Sequence, residues 1–346
     1  EDRRTEIQLD LDDASFALQK AKEAGKSTSS AESALSKANE KMAQCQKQIQ
    51  EIQSRIQEVH GRIQKLRQAH QSDPDYETYE AYHSNGIDLA RLTYSEMRRL
   101  RSDLQLIFQD PYSSLNPKMT VGQIIGEGML AHKFFRRNDD RMKEEIIRVM
   151  DECGLAPYFL HRYPHQFSGG QRQRIGIARS LALRPKFVVC DEAVSALDVS
   201  IQAQIINLLQ ELKEKQHLTY MFITHDLSVV KYISDRIGVM YLGNMVEMAP
   251  SDDIFAHPLH PYTEALLNSI PTTDEEAARK PEVLEGDIPS PVNPPKGCKF
   301  HTRCSKCMDC CREVAPVQRE VEPGHYVVCH LYDDYKEVED INGKTE

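Results

Sequence analysis

The sequence predicts an α/β protein with a mainly parallel sheet, a long helical segment in front and a cysteine-rich tail behind. Three observations support this. Short apolar runs that end in charged residues recur at Leu104–Pro111, Lys186–Ala193 and Thr219–Asp226, with helical patterns at Gln171–Leu183 and Ile201–Gln216 between them. Continuous apolar strands that alternate with helices suit a parallel sheet covered on both faces. Residues 1–72 are polar and nearly free of proline, and six of the nine cysteines lie between Cys298 and Cys329.

The 346 residues suffice for one large domain with extensions, or for two domains. A hydrophobic fraction of 40% and a charged fraction of 28% suit a soluble protein with a real core. The net charge of −10 argues against generic nucleic-acid binding. No apolar run is long enough to span a membrane, and no export signal is visible. The first residue is Glu1 and no strand pattern precedes the helical region, so the expectation is a chain cut at its N-terminus.

In the leading segment, Leu35, Ala38, Met42, Cys45, Ile49, Ile52, Ile56, Val59, Ile63 and Leu66 follow steps of three and four. That is a heptad seam, predicting a coiled coil or helical hairpin with Ala14–Glu23 as the returning arm. A helix packed on a globular core is the alternative. Gly25-Lys26-Ser27 matches the end of a phosphate-binding loop, but the required first glycine is replaced by Lys20 and no strand precedes it. A polar break between two helices is expected there. His70–Gly86 ends the helical region. Arg236–Ala249 predicts a hairpin with its turn at Gly243-Asn244, and prolines punctuate residues 250–296.

Three strand ends carry Gln109, Asp191-Glu192 and His225. Ligands of open parallel sheets bind beyond the carboxyl ends of the strands. An apolar run closed by Asp-Glu suits a Mg²⁺-holding Asp191, acting through water, and a Glu192 that orients or deprotonates an attacking water. Ser168, Gly169, Gly170, Gln171 and Arg172 open a helix whose first amides favour an anion. Taken alone, the same residues fit an ordinary serine N-cap.

In combination, the run FSGGQRQRIGIARSLALRPKFVVCDEAVSALD (residues 167–198) resembles the signature, Walker B and D-loop of ATP-binding-cassette (ABC) ATPases. Ile107–Pro117 looks like their Q-loop, in the wording of the oligopeptide/dipeptide importer branch, and Phe222–Val230 looks like their H-loop. His257–Pro271 resembles the start of that branch's C-terminal extension, and the whole likeness spans about residues 86–332. It implies a P-loop NTPase-like core, incomplete at its N-terminus, over residues 86–250, with a helical subdomain at about 112–165. Residues 1–85 would be a coiled-coil insertion between phosphate loop and Q-loop, and 251–346 the extension.

The resemblance also implies roles. Ser168, Gly169, Gly170 and Gln171 would touch the γ-phosphate of ATP held by a partner subunit. Ser195, Ala196, Leu197 and Asp198 would form the D-loop that couples the two sites. Asp191 and Gln109 would serve Mg²⁺, Gln109 would also sense the membrane subunit, and His225 would contact the γ-phosphate. Cys298, Cys304, Cys311 and Cys329 would ligate a 4Fe-4S cluster. Cys307 and Cys310 are additional, so zinc or unmetallated thiols stay open. Cys45, Cys153 and Cys190 fit seam or core positions. Three departures from the family stand out: the phosphate loop is absent, Gln166 replaces a common Glu, and Ala193 replaces a common Pro.

The expected function is an ATP-hydrolysing subunit of a di- or oligopeptide importer, peripheral on the cytoplasmic face of the plasma membrane, with MgATP at a dimer interface. Its partners would be a second ABC ATPase subunit, identical or not, the transmembrane permease subunits and, indirectly, an extracytoplasmic solute-binding protein, with no nucleic acid. A non-hydrolysing partner subunit is an alternative that Glu192 and His225 argue against. A DNA-maintenance ABC-type ATPase is another, disfavoured by the acidic charge.

Overall fold

A computed structural model describes residues 2–25, 27–73, 76, 87–137, 139–269 and 286–337. Lys26, Gly86 and Pro271 lie outside these residues. The chain divides into two compact units, Glu1–Val189 with Lys215–Tyr220, and Cys190–Glu214 with Met221–Glu346.

The first unit begins with two helices, α1 (Asp2–Glu23) and α2 (Ser29–His70). Gly25, at φ +61, ends α1 in the left-handed conformation that suits a helix C-terminus. The expected polar break is therefore present. Ile7 of α1 packs with Met42 and Cys45 of α2, and Ile49 lies beside them. The returning arm extends well beyond the predicted Ala14–Glu23. Ile7, Leu11, Ala14, Leu18 and Ala21 step by four and three along α1 and turn its apolar stripe inward, front half included, while charge fastens its outer side. Glu6 pairs with Lys133, Asp10 and Asp13 lie 2.6 and 2.8 Å from Arg136, Asp13 pairs with Arg141, and Lys20 lies 3.0 Å from Asp140. The Phe16 ring sits under Lys20 and Arg141.

Next come α3 (Tyr94–Asp103), β1 (Leu104–Ile107), α4 (Val121–Ala131), α5 (Asp140–Glu152) and α6 (Gly169–Leu181). Ile124, Ile125, Met129, Met150, Ile175, Ile177 and Leu181 are fully buried among the helices. β2 (Phe187–Asp191), α7 (Val199–Gln216) and β3 (Thr219–Ile223) complete a sheet of order β1-β2-β3. Lys186 N donates to Asp103 O, and Thr219 N to Lys186 O, so the strand starts are side by side. At the far end Glu192 N donates to Ile223 O, as a parallel arrangement requires. Burial pushes the Cys153 and Cys190 thiols up to about 12, in keeping with inert core positions. Coverage on both faces is not met at β3, where Met221 and Ile223 are 51% and 43% exposed.

The second unit continues with α8 (Leu227–Ile233), β4 (Arg236–Tyr241), β5 (Asn244–Pro250), α9 (Ser251–Ala256), α10 (Pro261–Asn268), α11 (Cys310–Glu313), β6 (Gln318–Glu322), β7 (His325–Val328) and β8 (Lys336–Glu337). The β4–β5 turn uses Leu242 and Gly243, both at positive φ, one residue earlier than predicted; Asn244 already pairs with Tyr241. β4 and β5 do not close the sheet. Three strands of the tail extend it in the order β4-β5-β7-β6-β8. Tyr241, Val246, Ala249, Leu267 and Phe300 lie in one core cluster.

A buried carboxylate organises this unit. Glu247 accepts from Leu259 N at 2.7 Å and His260 N at 2.9 Å, and lies 2.8 Å from His325 Nε2. Burial alone would push its carboxyl up, but these hydrogen bonds outweigh burial and hold it below the usual range. His260 caps α10 by accepting from Tyr262 N through Nδ1. Burial depresses this imidazole to about 4.

Two predictions follow from these contacts. The α1 ion pairs are largely exposed and individually weak. Molar salt should therefore raise hydrogen exchange in Asp2–Glu23 while leaving α6 protected. Unfolded His260 takes a proton near 6.5 and folded His260 only near 4. Its stability contribution is complete above pH 6.5 and is lost as pH falls from 6.5 toward 4. His260→Asn, which keeps a cap but does not titrate, should flatten the loss of exchange protection in Pro261–Asn268 across that window.

Candidate functional site

In the first unit, Ser168 caps α6 from extended backbone. Its Oγ accepts from Gln171 N at 3.4 Å, and Gln171 Oε1 accepts from Ser168 N at 3.2 Å. The amides of Gly169 and Gly170 take no part in this reciprocal pair. They stand at the positive end of a 13-residue helix, where an anion is favoured. Two arginines of α6 then hold the segment after β1. Arg172, itself buried, donates through Nε to Pro164 O at 2.7 Å and lies 3.8 Å from the Tyr112 ring centroid. Arg179 donates to Ser114 O at 2.5 Å and lies over Phe108. Ser180 Oγ donates to Leu106 O. Exposed Gln109 thus sits in a loop fastened to the signature helix on both sides. Inside the loop, the Asp110 carboxylate accepts from Tyr112 N, which holds its pKa below the ordinary value.

In the second unit, β2 ends at exposed Asp191. Glu192 then adopts φ +43, a conformation that costs a non-glycine residue about 1–3 kcal/mol. Its N–H is bound to Ile223 O, and its carbonyl accepts from both Ser195 N and Ser195 Oγ. Glu192 Oε1 lies 3.2 Å from His225 Nδ1. Leu197 N donates to Val194 O, and Asp198 caps α7 through Ile201 N, so Ser195–Asp198 is a formed turn. Gln202 Nε2 donates to Asp226 Oδ2 at 3.1 Å, and Asp226 also caps α8. The predicted site residues are therefore grouped as Gln109 with the signature in one unit, and Asp191, Glu192, Ser195–Asp198 and His225 in the other.

A family profile described as ABC transporter matches residues 22–195, about half of the chain. The chain is 52% identical over 252 residues to the oligopeptide transport ATP-binding protein AppF of Bacillus subtilis, covering 71% of this chain and 75% of the relative. It is also 52% identical over 237 residues to the oligopeptide transport ATP-binding protein OppF of Salmonella typhimurium, covering 67% and 70%. The chain belongs to the ABC transporter family. A second profile, described as the oligopeptide/dipeptide transporter C-terminal region, matches residues 246–311. The first match takes in Gly25-Lys26-Ser27, yet the described backbone around these residues is helix, turn and helix, without the strand that leads into a phosphate loop.

The second unit carries six cysteines between Cys298 and Cys329, four of which influence one another electrostatically. Cys329 lies within electrostatic reach of Cys298, Cys304 and Cys311, and these three lie within reach of one another. Burial, reinforced by those neighbours, pushes Cys329 up to about 12 and raises Cys298 and Cys304. The amides of Phe300, Lys306 and Leu331, each two residues past its cysteine, hydrogen-bond Cys298, Cys304 and Cys329. Such bonds favour the thiolate a metal requires. Cys307 lies within electrostatic reach of Cys304, and Cys310 of Cys311. Among the described residues no three His, Cys, Asp or Glu side chains converge on one metal ion. A tetrahedral zinc, with Zn–S near 2.3 Å, would draw its sulfurs to within about 4 Å. Of the histidines that flank Cys329, His325 lies against Glu247, and His330 against Asp333 and Val314 O.

Sequence reading missed Arg179, Tyr112, Gln202 and Asp226 as supports, because spacing does not show which backbone carbonyl or ring a side chain meets. Gly297 was missed as well. At φ +65 it brings Cys298 N to 2.9 Å from Cys311 O, and a Cβ there would lie 2.5 Å from that oxygen. Gly297→Ala should therefore cost about 1–3 kcal/mol locally. The expected readout is earlier thermal loss of protection across residues 298–329, with α6 unaffected.

Proposed function

We propose that this chain is the ATP-hydrolysing subunit that energises an importer of di- or oligopeptides. The observation that carries the proposal is the Glu192–His225 pair, 3.2 Å apart and immediately after Asp191 at the end of β2. Phosphoryl transfer to water needs metal, an oriented water and charge-matched donors in fixed positions. Asp191 and Gln109 would hold Mg²⁺ and its waters. Glu192 would accept the proton of the attacking water, and His225 would steady Glu192 and donate to the γ-phosphate. Ser168, Gly169, Gly170 and Gln171 would receive the γ-phosphate of ATP bound on a second ATPase subunit, identical or not. Ser195, Ala196, Leu197 and Asp198 would report that closure to the neighbouring site.

The peptide assignment is supported by the oligopeptide names of AppF and OppF and by the matched C-terminal region. No helix among the described residues is long and apolar enough to cross a membrane. We place the subunit against the cytoplasmic face of permease subunits, contacted near Gln109, with a solute-binding protein acting indirectly from the other side. In this reading residues 1–85 are a helical coiled-coil insertion, 86–250 the ATPase core with a helical subdomain at about 112–165, and 251–346 the extension. Cys298, Cys304, Cys311 and Cys329 would hold a 4Fe-4S cluster, which would supply one-electron redox chemistry and a cross-link within the extension.

In the importer assembled with its permease and partner ATPase, Glu192→Gln should lower turnover by about 10²–10⁴-fold while ATP is still bound. Undiminished turnover would overturn the assignment. Chain purified without oxygen should contain iron and acid-labile sulfide in equal amounts. Cys329→Ser should lose both, and Cys310→Ser should keep both.

A further inference from the structure

The two hairpin helices differ in length. At 1.5 Å per residue, α2 runs about 63 Å and α1 about 33 Å. The short turn sends α2 back along α1, so α1 reaches along only the first half of its partner. Burial follows this limit: Ala38, Met42 and Cys45 are 4%, 9% and 8% exposed, whereas Ile52, Ile56, Val59, Ile63 and Leu66 are 55%, 50%, 50%, 41% and 62% exposed. The seam itself does not stop. Met42, Ile49, Ile56 and Ile63 occupy one heptad position, and Cys45, Ile52, Val59 and Leu66 the other. Five large aliphatic side chains thus continue an interface that α1 has already established, with nothing described on top of them.

The width and charge of the seam select its occupant. Two apolar positions in seven make a narrow seam, fitted to a second helix rather than to a lipid surface, which wants a broad apolar face. The positions flanking the exposed half are Gln53, His60 and Arg67 on one side and Arg55 and Arg62 on the other, with no acidic residue among them. A second copy of this helix would set Arg62 against Arg67 when parallel, or arginine against arginine when antiparallel, which costs rather than stabilises. The covered half shows what the seam accepts. α1 brings Ile7 into the seam and carries Glu6, Asp10, Asp12 and Asp13 outside it, with Asp10 3.8 Å from Lys41 of α2.

We propose that Ile52–Leu66 of α2 is a docking site for an amphipathic helix of a partner protein, with apolar residues at heptad spacing and acidic residues at the flanks. The site rests on the hairpin alone and stands whether or not the ATPase reading does.

The test uses the full chain and a labelled three-heptad peptide with Ile and Leu in the seam and Glu at every flanking position. A twin peptide carries Lys there. Fluorescence anisotropy should show the Glu peptide bound at least ~10-fold more tightly than the Lys twin, since opposite-sign flanks set partner choice. Ile56→Glu with Ile63→Glu should abolish that binding. Both residues are exposed, so circular dichroism should report unchanged helix content. Arg55→Glu with Arg62→Glu should shift preference toward the Lys twin. Equal binding of the two peptides, or binding that survives Ile56→Glu with Ile63→Glu, would overturn the proposal. So would self-association in sedimentation, or flotation with anionic phospholipid vesicles, that the same two substitutions remove.

Discussion

The hydrogen bond from Glu192 N to Ile223 O is the constraint on which the candidate site of the second unit depends. It ties the exit of β2 to the exit of β3 while Glu192 is held at positive φ, a conformation its side chain does not favour. With the backbone pinned there, the Glu192 carbonyl is available to the Ser195 amide and hydroxyl, and its carboxylate faces His225. One strained residue thereby sets the Ser195–Asp198 turn, the carboxylate and the imidazole together. A strained carboxylate with a fixed partner suits a role in which geometry matters more than local stability.

The signature half reaches the same rigidity by burying charge. Arg172 and Arg179 sit in α6 among aliphatic residues, yet each spends its guanidinium on backbone carbonyls and an aromatic face of the Gln109 loop or its surroundings. Removing water from a guanidinium is costly unless its donors are met. Here Arg172 donates to Pro164 O and His165 O, and half-buried Arg179 donates to Ser114 O of the loop. The loop that carries Gln109 and the helix that begins at Ser168 therefore behave as one mechanical piece.

The outlying segments are held by electrostatics of two kinds. α1 is fastened by exposed carboxylate–guanidinium pairs that salt screens, with few aliphatic contacts beneath them. The extension is fastened by Glu247, whose carboxylate gathers two backbone amides and His325 in a site closed to solvent. The first arrangement is separable and the second is cooperative, since removing any donor leaves a buried charge short of partners.

The sequence by itself determined the three parallel strands, the helices between them and the hairpin break at Gly25. Each is written locally, as an apolar run, a heptad step, a capping pattern or a run of motif residues. Tertiary structure alone decided the three strands the tail adds beside β5, the exposed face of β3 and the roles of Arg179, Gln202, Glu247 and Gly297. These depend on partners tens to hundreds of residues away: Asp13 finds Arg141, and Glu247 finds His325. Periodicity reports which face of an element is apolar, but an ion pair or a buried carboxylate is specified by where the chain returns, and only the folded backbone fixes that.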